Sequence, residues 1–360
     1  MQGGGHSPAT HDHGLGADQL LEATVALANG QIVTADACQN SDLYFAIRGG
    51  GGGSYGVVVS AMIKAYPTTI VSAQLLAMAP LTGGDTLAFM EALAVIYAAY
   101  PDLSDGGFSG YGSWSIASPT PIFASYTIGM VHAIAIFNKS IGYAENLFAP
   151  IAEKLQPYRN TSLYISTTYS SFPTYDAYYN ALSGANVPVS ASFAGGSRLL
   201  DRPSLTANAT ALKQMLNVTA GTPDQYTSNN ICLVGGGQVF ADAKDPYSGV
   251  NPAWRTAYVH NIVARGWESP GTDAATITAI RDDITSVKVQ AMKDLAPNTG
   301  CYMNEADRLD PEYEADFYGG HLARLEAIKE EYDSEGVFYC PTCIGSKNWI
   351  VEETGRLCPA

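Results

Sequence analysis

The chain has 360 residues, a formal charge of −15 and a pI near 4.7, with 46% hydrophobic and only 15% charged residues. Such a chain can bury a large core, hold two domains and fold as a globular protein. The acidic balance argues against nucleic acid or an anionic membrane as partner, since nothing supplies a basic face. The longest apolar stretches, such as Ile128 to Phe137, are too short to cross a bilayer.

In chain order, Gln19 to Ala28 reads as a strand ending in an Asn29-Gly30 hairpin turn, with Gln31 to Ala35 as the return. Asn40 to Ile47 reads as a short helix capped by Asn40 or Ser41. Five glycines, Gly49 to Gly53, follow at once, and then Ser54, Tyr55, Gly56 and a β-branched run from Val57. Glycine loses more backbone entropy on ordering than any other residue. The run therefore marks either a hairpin or bulge without a ligand, or main chain lying against one. Gly51, Gly53 and Gly56 satisfy G-x-G-x-x-G, but a strand pattern (Val57 to Ile63) follows where a dinucleotide motif requires a helix, and no Gly-Lys-Ser/Thr is present.

After Pro67 the texture changes. Strands are expected at Val71 to Met78, Phe123 to Met130, Cys232 to Phe240 and Trp254 to Arg265. Helices are expected at Asp85 to Ala99, Ser140 to Leu155 and Asp273 to Leu295, and a last one carries Leu322, Leu325 and Ile328 on one face. The stretch Tyr158 to Asn186 is rich in tyrosine (Tyr164, Tyr169, Tyr175, Tyr178, Tyr179), which fits amphipathic packing or a pocket for flat rings.

Four of the six cysteines fall in the last sixty residues, including Cys340-Pro-Thr-Cys343. Structural disulfides holding the C-terminal tail are the favoured reading over a zinc or redox site. Sequons at Asn138, Asn160, Asn208 and Asn217 point with the cysteines to a secreted glycoprotein, although no signal peptide opens this sequence. His11 and His13 flank Asp12 in what reads as a solvated turn, and no metal is expected.

Taken in order, several segments resemble one family: the berberine-bridge-enzyme-like FAD-linked oxidases of the vanillyl-alcohol-oxidase fold, in their fungal form. They are Gln2-Gly-Gly-Gly-His-Ser-Pro8, Gly14 to Gln19, Asp42 to Gly49 with the glycine run through Val59, Asn251-Pro-Ala-Trp-Arg255, Tyr302-Met-Asn-Glu-Ala-Asp307, Phe338-Tyr-Cys340 and Gly355-Arg-Leu-Cys358. The resemblance implies an α+β fold. Residues 1–66 would be part of a split FAD-binding domain whose first subdomain is missing. Residues 67–296 would be an inserted substrate domain of antiparallel sheet and helices, and 297–360 would return to complete the FAD domain.

The resemblance also implies a function. FAD would take hydride at its N5 from an alcohol-bearing small molecule, a carbohydrate or secondary metabolite, and dioxygen would reoxidise it to give hydrogen peroxide. Tyr302 is the implied catalytic base, and Asn304 a polar flavin contact. Gly3, Gly4, Gly5, His6 and Ser7 would lie near the flavin, and Gly52, Gly53, Gly56, Val57 and Val58 would bring main chain against it. Trp254 and Arg255 are expected to serve packing and an ion pair. The family's covalent flavin attachment points match nothing here, so the chain reads as N-terminally truncated. A monomer is expected, and the alternative is a non-catalytic remnant that keeps the substrate domain but cannot hold FAD.

Overall fold

The computed structural model describes residues 1–119, 121–182, 192–352 and 354–360. The end of the tyrosine-rich stretch, 183–186, lies outside them.

A short helix α1 (Thr10–His13) precedes three strands, β1 (Leu20–Ala26), β2 (Ile32–Ala35) and β3 (Val57–Ile63), which form an antiparallel sheet in the order β2-β1-β3. Helix α2 (Ser41–Ile47) buries Leu43 through Ile47 beneath it. The expected cap on α2 is corrected: Asn40 sits in the left-handed region (φ 45) and makes no capping bond, its amide instead donating to Thr34 O at 2.7 Å.

Seven strands then build one antiparallel sheet: β4 (Val71–Pro80), β5 (Ser109–Ser115), β6 (Gly129–Phe137), β7 (Leu163–Phe172), β8 (Phe193–Asp201), β9 (Thr227–Leu233) and β10 (Ala257–Gly266), in the order β7-β4-β6-β5-β9-β10-β8. Helices α3 (Thr86–Asp105), α4 (Ile141–Leu155), α5 (Tyr175–Leu182), α6 (Arg202–Thr206), α7 (Ala209–Ala220), α8 (Gly237–Ala241), α9 (Ala274–Asp283) and α10 (Gln290–Leu295) connect and cover them. Three of the four expected strands shift. Phe123 to Ile128 forms a tight turn, and the strand runs 129–137. The Cys232 strand ends at Leu233 because Gly235 to Gly237 turn the chain into α8, and Trp254 sits in a 3-10 turn ahead of β10.

Strand side chains alternate between the two faces. On one face, Leu76, Met78, Ile134, Ile231, Leu233, Val259 and Val263 pack with α3, α4, α7 and α10 into the largest core. Helix α3 is long and apolar enough to cross a membrane, and here it is buried in that core through Phe89, Leu93, Ile96, Tyr97 and Tyr100. The other face carries smaller clusters around Leu199, Cys232, Trp254 and Tyr302, and around Val71, Ala135, Phe137 and Tyr178.

A separate core joins β1, α2 and Tyr55 to Cys301, α11 (Tyr313–Tyr318) and α12 (Leu322–Asp333). Lys329 of α12 fixes the tail there, its Nζ donating to Ser54 O (2.6 Å), Phe338 O (3.1 Å) and Asp333 Oδ2 (2.5 Å). The cysteines do less than expected. One disulfide, Cys340–Cys343, closes within the tail, while Cys38, Cys232, Cys301 and Cys358 are free thiols.

Candidate functional site

The face of the seven-stranded sheet opposite the largest core meets the amino-terminal segment and the turn after Cys301. Pairing fixes one row across the sheet: Leu199 lies opposite His260, His260 opposite Cys232, Cys232 opposite Tyr111, and Tyr111 opposite Ala133. These side chains therefore point to the same side. His6 sits against the row, with Nδ1 2.9 Å from Tyr111 Oη and Nε2 3.3 Å from Glu305 Oε2. Its ring packs among those of Tyr111, Trp254, His260 and Tyr302 at centroid distances of 5.4–6.2 Å.

Tyr302 is the centre of this group. Its Oη accepts hydrogen bonds from Gly5 N–H at 3.0 Å and Asn304 Nδ2 at 2.6 Å. Burial raises its pKa above the ordinary tyrosine value, and those two donors pull against that rise. Two donors on one phenol oxygen are suited to stabilising negative charge there.

Burial alone would raise Glu305 as well, but the His6 hydrogen bond and the electrostatic pull of the two adjacent imidazoles, His260 and His6, outweigh it and hold the carboxyl below its usual value. Burial pushes His260 down to about 3, so it is neutral at ordinary pH. Its Nδ1 lies 3.3 Å from Glu305 Oε2 without hydrogen-bond alignment, and both ring nitrogens lack a partner. Burial also raises the Cys232 thiol, keeping it protonated. Donor atoms of His6, Cys232 and His260 lie within 4.8 Å of one another, a spacing that would allow them to share one cation.

The glycines have separable reasons. A Cβ on Gly3 would lie 2.5 Å from Asn304 Nδ2, and one on Gly4 would lie 2.8 Å from the Tyr302 ring, so both are glycine to let those side chains approach. Gly56 is buried, and a Cβ there would meet Val25 at 2.6 Å, which ties it to sheet packing. Gly52 and Gly53 are different: both are exposed, Gly53 has φ 74, and nothing lies within 4 Å of its missing Cβ.

Gln2 joins the two glycine segments. Its carbonyl accepts from Gly49 N–H at 2.9 Å and its side-chain oxygen from Gly53 N–H at 3.2 Å. Gly3 to Ser7, Gly52, Gly53, Tyr302 and Asn304 are thus brought together, Ser7 serving mainly the local turn through its bonds with Thr10 and Ala9. Val57 and Val58 stand further along, on edge strand β3, with Val57 exposed and Val58 half-buried.

Three other sequence expectations meet their outcome here. Trp254 is buried, and Arg255 forms a two-pronged ion pair with Asp18 at 2.7 and 2.9 Å, as expected. His11 and His13 lie in α1 rather than in a solvated turn; His11 packs against Gly237, and His13 stacks on Tyr66 at 4.0 Å. Sequence reasoning missed Tyr111, Cys232, His260 and Glu305. The first three come one from each of three strands, so only the register joins them.

Comparison with known proteins follows this geometry. Residues 301–345, which include Tyr302, Asn304 and Glu305, match the family model "Berberine and berberine like". The chain is 42% identical over 358 residues to FAD-linked oxidoreductase hmp9 of Hypomyces subiculosus, covering 99% of this chain and 56% of that protein. It is 39% identical to FAD-linked oxidoreductase apf9 of Gibberella fujikuroi, covering 100% and 61%. The crystal structure of VAO-type flavoprotein MtVAO713 from Myceliophthora thermophila C1 superposes with a TM-score of 0.95 at 41% identity, covering all of this chain and 62% of that one. The fold and the resemblance read from the motifs are borne out, and the chain spans about three fifths of the length of these relatives.

Proposed function

We propose that this chain, whose fold and C-terminal segment are those of the berberine-like FAD-linked oxidoreductases of the vanillyl-alcohol-oxidase type, carries the substrate side of an FAD-dependent alcohol-oxidation site. The observation that carries this reading is Tyr302, held by two hydrogen-bond donors between a bare main-chain ledge and a polar cleft. The residues fit the cofactor: Gly52 and Gly53 offer exposed backbone, with open room where a Cβ on Gly53 would stand, next to Gly3 to Gly5. Bound FAD would accept hydride at N5 and pass the electron pair to dioxygen, giving hydrogen peroxide.

The chain's own groups do the rest. Gly52, Gly53 and the Gly3 to His6 segment hold the cofactor, and Asn304 contacts it while steadying Tyr302. Tyr302 Oη, held as the phenolate by Gly5 N–H and Asn304, takes the hydroxyl proton of an alcohol-bearing small molecule as its C–H bond breaks and becomes the neutral phenol. Glu305, whose carboxyl the His6 hydrogen bond helps to hold below its usual value, keeps a negative charge at the polar end of the cleft beside it. Edge strand β3 exposes Val57, Val59, Met62 and Ile63, an unblunted edge of the kind that proteins cover. We place the remaining cofactor-binding surface against it.

The test is direct. Incubation with FAD followed by desalting should leave a yellow protein with a raised melting temperature. A colourless protein with an unchanged melting temperature would favour the alternative, a remnant that keeps the substrate domain without holding FAD.

A further inference from the structure

The cleft does not stop at Tyr302. Along the same face of the sheet, the row beyond Tyr111 is lined by Ser113, Asn230, Val131, Ala77 and Ser166, all half-exposed. One row further, Tyr164 lies opposite Ala79 and Ser115 opposite Gly129. Here the floor changes character.

Three rings, Phe123, Tyr126 and Tyr164, lie mutually adjacent with centroids 5.0, 5.7 and 6.1 Å apart and interplanar angles of 17–32°. Three rings stacked in a column would put the outer pair nearly twice as far apart as the neighbours. Near-equal distances with near-parallel planes mean offset plates, which together make a broad platform. Gly129 makes room for it, since a Cβ there would lie 3.0 Å from the Phe123 ring. A tight turn holds the first two rings, with Tyr126 N–H donating to Phe123 O at 3.0 Å and Ile122 N–H to Tyr126 O at 2.8 Å. Tyr164 is 37% exposed, so the platform faces solvent rather than core.

Beside the platform, at the ends of β5 and β9, is a cavity of about 200 Å³ lined by Ser113, Ser115, Ser118, Ile122, Tyr226 and Ser228. A cavity of about 150 Å³ holds a benzene ring, so this one takes a single ring system. Its walls mix serine hydroxyls with the apolar surfaces of Trp114, Pro119, Pro121 and Ile122, which suits a ring bearing phenolic oxygens. Ser115 lies four residue steps along β5 from Tyr111, about 13 Å at ~3.3 Å per residue.

The geometry points to a second subsite at Phe123, Tyr126, Tyr164 and the serine-lined cavity, which seats a hydroxylated aromatic ring of the substrate while its alcohol reaches Tyr302. As a statement about substrate class it rests on the alcohol-oxidation reading, whereas the ring site itself does not.

The probe is 2-naphthol, titrated into the full chain without FAD and followed by saturation-transfer NMR, with methyl glucoside as the competing sugar. The expected result is saturable 2-naphthol binding that Tyr164→Leu and Tyr126→Leu each weaken about three- to tenfold, in keeping with the worth of one aromatic contact. Methyl glucoside should fail to displace it. Both variants change exposed or half-exposed side chains, and an unchanged melting temperature verifies that they fold. Absence of saturable binding, equal affinity in both variants and the wild type, or displacement by methyl glucoside would each overturn the assignment. If 2-naphthol binds as expected while FAD does not, the ring subsite stands and the flavin reading falls.

Discussion

The two faces of the seven-stranded sheet each bury a histidine completely, and the two histidines are kept for different reasons. His132 faces the helices, edge-on to Tyr100 in the main core. His260 faces the cleft, ringed by His6, Trp254 and Tyr302. Burial pushes both down to about 3. On the helix face, Tyr97 Oη donates to Asn261 Oδ1 at 2.7 Å and accepts from Trp114 Nε1 at 2.9 Å, while His132 Nε2 and Tyr100 Oη have no partner among the described residues. On the cleft face, Tyr302, His6 and Glu305 converge on one another, and His260 leaves both ring nitrogens unmatched. The helix face is a packed apolar core, and the cleft face gathers its ionisable groups around Tyr302.

The contrast can be broken by mutation. Tyr302→Phe should lower turnover of the FAD-loaded protein by about 100-fold or more, the range for a lost acid–base group, with flavin content and melting temperature nearly unchanged. Equal loss of stability would instead make Tyr302 a scaffold residue. On the helix face, Leu93→Ala should cost about 2–5 kcal/mol in denaturant unfolding, with FAD affinity unchanged at temperatures where the chain is folded. Tyr97→Phe should cost about 1–3 kcal/mol, because it leaves Asn261 and the Trp114 N–H buried with a partner lost.

The last effect concerns pH. A histidine near 6.5 when unfolded and about 3 when folded binds its proton only in the unfolded chain between those values, so stability falls as pH drops from about 6.5 towards 3. Each such histidine adds a slope of about 1.4 kcal/mol per pH unit. His132→Phe and His260→Phe should each remove one proton's worth of that slope, read from urea midpoints at several pH values. His260→Phe alone should also change binding in the cleft.

Legibility followed locality. The β1–β2 hairpin was readable from Asn29-Gly30, and α4 from the amphipathic pattern of Ser140 to Leu155; the structure adds that the Ser140 hydroxyl caps it, accepting from Tyr143 N–H. Strands β5 and β8 were not, because Gly110, Gly112, Gly195 and Gly196 read as loop. In the sheet, Gly110 and Gly112 let neighbouring strand backbone approach, and Gly196 makes room for Val289. Within the site, Tyr302, Asn304 and Gly3 to Ser7 were visible because each belongs to a contiguous motif. His260, Cys232 and Tyr111 were invisible because strand register, set by the whole sheet, lines them up.

Amide hydrogen exchange with and without FAD measures directly where a flavin docks. Added protection is expected at residues 2–7, 49–56 and 302–305, with β4, β6 and helix α3 unchanged. Protection spread evenly over the chain, or none at the glycine ledge while FAD binds elsewhere, would contradict it.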